Sequence, residues 1–254
     1  MTPLPPGHRP RIVLVEDDPS IRRFMVMALE DLAVQLIECD TVNGGLEAFR
    51  AGPVALLITD LNLPGASGMD LLRELFADAA LRGEARIAVC SAGVGPEGLA
   101  ELAAMGVRRI LPKPCSLSVL EACVLEALEA HADAATTTGP GAAPDGAPTT
   151  ADARARAVAQ HFEGDDSLYD AFSASCAERF PEDIRSGDAA CQRRDLSALR
   201  HVVHSLKSVL LLLGHEAESE VARQAERAAA AGELAALDHW AALRERLAQV
   251  IHTA

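Results

Sequence analysis

The chain has 254 residues, room for two ordinary domains, and its 49% hydrophobic and 24% charged content is that of folded globular protein. A formal charge of -14 and an aromatic content of 3% leave it ill-equipped to neutralise phosphates or stack bases, so no nucleic-acid partner is expected. No apolar run reaches membrane-spanning length and the opening MTPLPPGHRPR lacks the apolar core of a secretory signal, so a cytoplasmic protein without a membrane partner is expected.

In chain order, short runs rich in Val, Ile and Leu predict strands over 12–15, 34–39, 54–59, 87–90 and 108–111. Between and after them, helical apolar spacing predicts helices over 19–32, 41–51, 67–77, 97–105 and 117–130. Strict alternation of strand and helix implies parallel pairing through right-handed crossovers, hence a doubly wound, five-stranded α/β sheet buried on both faces. Such a sheet carries its site beyond the carboxyl ends of its strands, at the switch point. The residues just past those ends are Glu16, Asp17 and Asp18, then Asp60, Ser91 and Lys113. Any one of them would pass as a solvated loop residue. Together they form a set in which clustered carboxylates repel unless a cation joins them, and hard oxygen ligands suit Mg2+. Magnesium with an ammonium and a hydroxyl is what a phosphoryl group needs for charge neutralisation and in-line orientation.

The segments V-E-D-D-P, I-T-D-L-N-L-P-G, C-S-A and L-P-K-P carry a strong resemblance to the receiver domains of two-component response regulators, over about residues 10–130. The resemblance implies a flavodoxin-like fold in which Asp60 is phosphorylated. It implies that Asp17, Asp60 and the backbone carbonyl of Asn62 ligate Mg2+, with Glu16 acting through water. Ser91 would bind a phosphoryl oxygen, Lys113 would pair with the phosphoryl charge, and Asp18 stays outside the metal shell. Two departures stand out: Ile110 occupies a place where many receivers have an aromatic switch, and Cys115 follows Pro114 where Phe is common, which would alter the surface offered to partners.

Residues 131–152, HADAATTTGPGAAPDGAPTTAD, read as a linker by composition. The six cysteines form no C-x-x-C pair, so neither a disulfide framework nor a zinc site is suggested. From 153 to 254 the apolar spacing is helical throughout. Leu168, Phe172, Cys176 and Phe180 recur at four-residue intervals, and a broad stripe from Leu199 to Leu213 starts after Asp195, a candidate N-cap, and stops at Gly214, a candidate terminating glycine. Further helices are expected over 217–231 and 234–250, giving an antiparallel bundle.

Within the stripe, H-S-L-K-S puts His204, Lys207 and Ser208 on one helix face, with Arg200 one turn back. An imidazole beside cations suits a phosphoryl acceptor, and the small Ser208 would leave room for an incoming partner. The motif, with Leu213 and Gly214 downstream, resembles histidine phosphotransfer domains, which would make His204 the acceptor and Lys207 its supporting cation. His201 and His215 are rivals, but neither has a lysine three residues on.

The expected protein is therefore a signalling component and not an enzyme, beyond catalysing its own phosphorylation and dephosphorylation at Asp60. Its partners would be a sensor histidine kinase or hybrid kinase and another response regulator. A phosphatase of the haloacid dehalogenase type needs a second Asp where Asn62 stands. The remaining alternative is a phosphorylation-gated binding or inhibitor protein whose helical part docks a kinase or partner without using His204.

Overall fold

Five strands, β1 (Arg11–Val15), β2 (Gln35–Cys39), β3 (Leu56–Asp60), β4 (Arg86–Ser91) and β5 (Arg109–Pro112), pair in parallel in the order β2-β1-β3-β4-β5. Ile12 to Val15 and Leu56 to Ile58 are almost wholly removed from solvent, as central strands covered on both faces must be. The strand order reverses between β1 and β3, so the switch point lies at their carboxyl ends. The structure, a computed structural model, describes residues 9–132 and 150–253. The chain divides into two compact units, Met1–Pro144 and Asp145–Ala254.

In the first unit the helices are α1 (Pro19–Ala28), α2 (Val42–Arg50), α3 (Gly68–Ala77), the single turn α4 (Ala79–Arg82), α5 (Pro96–Ala104) and α6 (Leu117–Ala132). Their starts are written in side chains. Asp18 accepts from the Ile21 N–H at 2.7 Å and Thr41 from the Gly44 N–H, while Ser67 and Asp70 close a reciprocal capping box on α3. Helix α1 stops at Ala28, short of the predicted 32, because the chain tightens there: Leu29 N bonds Val26 O and Glu30 N bonds Met27 O. The turn α4, capped by Asp78, was not expected from apolar spacing, since none of its residues is buried.

The second unit is all helical: α7 (Thr150–His161), α8 (Asp166–Arg193), α9 (Leu196–Leu212), α10 (Glu216–Ala230) and α11 (Ala235–Thr253). Asp195 caps α9 through the Ala198 N–H at 2.9 Å. At the other end Gly214 has φ 82 and His215 N reaches back to Leu210 O at 2.8 Å, the hydrogen-bond pattern that ends helices at a glycine. Phe162, Phe172, Phe180 and Leu199 are fully buried, and the Tyr169 hydroxyl donates to Leu213 O at 3.0 Å, tying α8 to the end of α9. Both ends of the expected linker are helical, α6 running to Ala132 and α7 beginning at Thr150; its remainder, 133–149, lies outside the described residues.

Candidate functional site

Strand register brings the chemistry together. Asp60 ends β3 opposite Cys90, Ser91 ends β4 opposite Pro112, and Lys113 N then donates to Ser91 O at 3.0 Å. Beyond β1, Glu16 N donates to Cys39 O at 3.0 Å, which extends the ladder by one residue and aims Glu16 at the same edge. Arg22 holds this turn from α1, its guanidinium donating to Glu16 O at 2.6 Å. On the other side, α3 begins so close to β3 that a Cβ on Gly68 would collide with the Asp60 carbonyl oxygen.

The Lys113 ammonium bridges two acids, at 2.5 Å from Glu16 Oε2 and 2.7 Å from Asp60 Oδ2. Glu16, Asp17 and Asp60 each offer a carboxylate oxygen to one small volume, all within 4.8 Å of one another. Burial pushes the Glu16 pKa up to about 8 against the pull of Lys113. For Lys113 burial opposes the ammonium, but Glu16 and Asp60 outweigh it and hold its pKa above the ordinary lysine range. One buried ammonium thus faces three acids, and a second cation would offset the cost of ionising Glu16; the oxygen-only donor set fits a hard divalent ion.

The remaining predicted residues take distinct places. Asn62 is exposed, and its N–H donates to Asp60 Oδ1 at 3.0 Å. Ser91 is buried, its hydroxyl donating to Gly93 O and accepting from Gly93 N, both at 3.1 Å. Asp18 is occupied as the α1 cap. Cys115 is 6% exposed.

In the helical unit, His204 Nδ1 lies 2.5 Å from Glu226 Oε1, and Lys207 Nζ donates to Glu226 Oε2 at 2.6 Å. Burial works to raise the Glu226 pKa, yet the hydrogen bonds from His204 and Lys207 outweigh it and bring it down to about 2. Glu226 is therefore a carboxylate that accepts from Lys207 and pairs with His204 Nδ1. Ser219, seven residues before Glu226 on α10, donates to Lys207 O at 2.8 Å and fixes the helix register. His204 is 8% exposed and Ser208 3%, Arg200 is exposed, and Glu226 pairs with the imidazole. Further along α9, Val209, Leu210 and Leu212 lie in the core. His215 occupies the N-cap position of α10 without a side-chain capping bond, and burial lowers its pKa.

Sequence reasoning missed Gly68 and Glu226. The capping box beginning at Ser67 marks the turn that holds Gly68, but nothing local reveals the backbone approach. Glu226 faces His204 only through the packing of two helices, which no spacing within one helix encodes.

Residues 12–125 match the family model described as the response regulator receiver domain. The chemotaxis protein CheY of Pseudomonas aeruginosa is 31% identical over 112 residues, 44% of this chain and 90% of that protein. The sensory/regulatory protein RpfC of Xanthomonas campestris pv. campestris is 30% identical over 259 aligned residues, 92% of this chain, although the chain spans only 32% of that protein. Among solved structures, the chemotaxis response regulator CheY4 of Vibrio cholerae matches with 19% identity and a TM-score of 0.43 over 47% of this chain and 98% of the other.

Proposed function

Because the chain belongs to the response regulator receiver family, we propose that it is a phosphorelay protein in which Asp60 accepts a phosphoryl group and His204 relays it. The observation that carries this reading is the Lys113 ammonium seated between Asp60 and Glu16, beside Asp17, at the sheet's switch point. Glu16, Asp17, Asp60 and the Asn62 carbonyl are the groups to hold Mg2+ by the family's pattern. When bound, the ion neutralises phosphoryl oxygens and orients the donor. An Asp60 oxygen attacks the donor's phosphorus, the bond to the donor's leaving atom breaks, and an acylphosphate results. Lys113 then pairs with the added charge and the Ser91 hydroxyl turns from Gly93 to a phosphoryl oxygen.

In the relay step His204 Nε2 attacks an acylphosphate and the carboxylate leaves. Glu226 supports this by holding the proton on Nδ1, and Lys207 balances the charge. The RpfC match extends past the receiver and through the helical unit, which supports reading the two units as parts of one signalling protein. The partner by this reading is a sensor or hybrid histidine kinase in the cytoplasm; no described helix is long and apolar enough to cross a membrane. The burial of His204 favours one other reading, in which the helical unit docks a kinase and leaves His204 idle.

Labelling with acetyl phosphate tests the first step. Wild type labels only with a divalent cation, Asp60→Asn does not label, and Asp17→Asn labels more weakly at limiting Mg2+. Normal labelling of Asp60→Asn overturns the assignment. With a competent kinase, His204→Gln loses acid-labile phosphohistidine; its retention, or its absence from wild type, selects the docking reading.

A further inference from the structure

Cys90 and Cys115 face one another across the end of the sheet, Sγ to Sγ 3.9 Å, both buried, at 1% and 6% exposure. We propose that they are an oxidation site, closing to an intramolecular disulfide when the chain meets a peroxide, and that this bond slows phosphorylation of Asp60. The second half rests on the phosphorelay reading; the first does not.

The side chains already point at each other, so bond formation requires the sulfurs to close by only about 2 Å, to the S–S length of roughly 2.05 Å. Cys115 is the more accessible thiol, at the junction of β5 and α6, and its Sγ donates to Pro112 O at 2.9 Å. Cys90 lies inside β4 and is the more deeply buried of the two, within reach of Cys115. Cys115 Sγ attacks one peroxide oxygen, the O–O bond breaks, and a sulfenic acid and one water form. Cys90 Sγ then attacks the Cys115 sulfur, the S–O bond breaks, and the Cys90 proton leaves with the hydroxyl as a second water. Two thiols have lost two electrons and two protons, and one hydrogen peroxide has taken them up.

The consequence follows from the neighbours. Cys90 is opposite Asp60 in the β3–β4 register and directly precedes Ser91, while Cys115 is two residues beyond Lys113. Drawing the sulfurs together moves the segments that hold Ser91 and Lys113 around Asp60, where an error of about 1 Å costs up to two orders of magnitude in rate.

The experiment uses the full chain. After hydrogen peroxide treatment, free thiols are alkylated under denaturing conditions and the disulfide is mapped by fragment mass. A Cys90–Cys115 bond is expected, absent from Cys90→Ala and Cys115→Ala and present in Cys123→Ala. That last control is needed because Cys123 on α6 is a further buried thiol of the same unit. Two alkylatable thiols at 90 and 115 after treatment, or a bond from either to Cys123, overturns the site. Acetyl phosphate labelling of the oxidised chain is expected to be about tenfold slower and restored by dithiothreitol, with Cys115→Ala insensitive to peroxide. An unchanged rate in chains shown by mass to carry the bond overturns the regulatory half. If reduced wild type fails to label at all, the Asp60 reading falls, and fragment mass still decides the disulfide.

Discussion

A methyl group at position 68 would meet the Asp60 carbonyl oxygen inside van der Waals contact, so the turn from β3 to α3 is built around a missing side chain. Gly68→Ala is expected to cost about 1–3 kcal/mol and to shift Asp60 away from Lys113. Acetyl phosphate labelling should slow even under conditions where the variant is fully folded, and a normal rate would show that the approach is structural only. His161 is the second residue whose surroundings set a measurable outcome. It is 6% exposed, its Nδ1 has no hydrogen-bond partner among the described residues, and burial lowers its pKa from 6.5 to about 4. The unfolded chain binds a proton here near pH 6.5 and the folded chain only near pH 4, so stability is complete above 6.5 and declines as the pH falls between those values. The loss is at most about 3 kcal/mol. Urea titrations at several pH values, followed by the fluorescence of Trp240, the chain's one tryptophan and part of the helical unit, should show a smaller decline in His161→Leu than in wild type. Equal declines would remove His161 as the cause. The acids, the serine and the lysine were legible in the sequence because each ends or directly follows a strand. Burial of His161 and the approach at Gly68 were not, because they depend on what other elements place nearby.

Helices α8 and α11 approach closely at Gly187. A Cβ on Gly187 would overlap the Trp240 indole, whose Nε1 donates to Asp188 Oδ1 at 3.0 Å while Arg244 Nε donates to Asp188 Oδ2 at 2.9 Å. Glycine inside a helix ordinarily costs stability relative to alanine, so its presence mid-helix signals a close approach. Gly187→Ala should reverse the usual gain from helix propensity and destabilise the unit by about 1–3 kcal/mol. The Trp240 fluorescence midpoint in urea reads this directly, and an unchanged or raised midpoint would show that the indole moves aside without cost. The same helices mark the limits of pattern reading. Apolar recurrence from Leu168 to Phe180 predicts that a helix exists, yet α8 continues through Pro181 to Arg193. The strands were legible to within about two residues because their apolar runs are too short for helices and rich in Val and Ile. Their shifts, such as β3 starting at Leu56 and not at 54, reflect ladder pairing set by partner strands.

At the scale of the chain, composition separated an α/β part from a helical part, and the two compact units divide in the same stretch. What composition could not encode is whether Asp60 and His204 exchange a phosphoryl group, as the proposed relay requires. Fully extended, segment 133–149 reaches about 60 Å, which bounds how far the ends of α6 and α7 can separate. Covalent connection of that length gives an effective concentration of order mM, far above a typical working concentration of the chain. Transfer between Asp60 and His204 in one molecule would then be first order, provided the sites can align across one phosphoryl group. The expected outcome is a transfer rate in wild type that does not change on dilution. Mixing labelled His204→Gln chains with unlabelled Asp60→Asn chains permits exchange only between molecules, and its rate should fall in proportion to concentration. If wild type falls in the same way and matches the mixture, the two units exchange phosphate only with partners, and their fusion serves to bring those partners together.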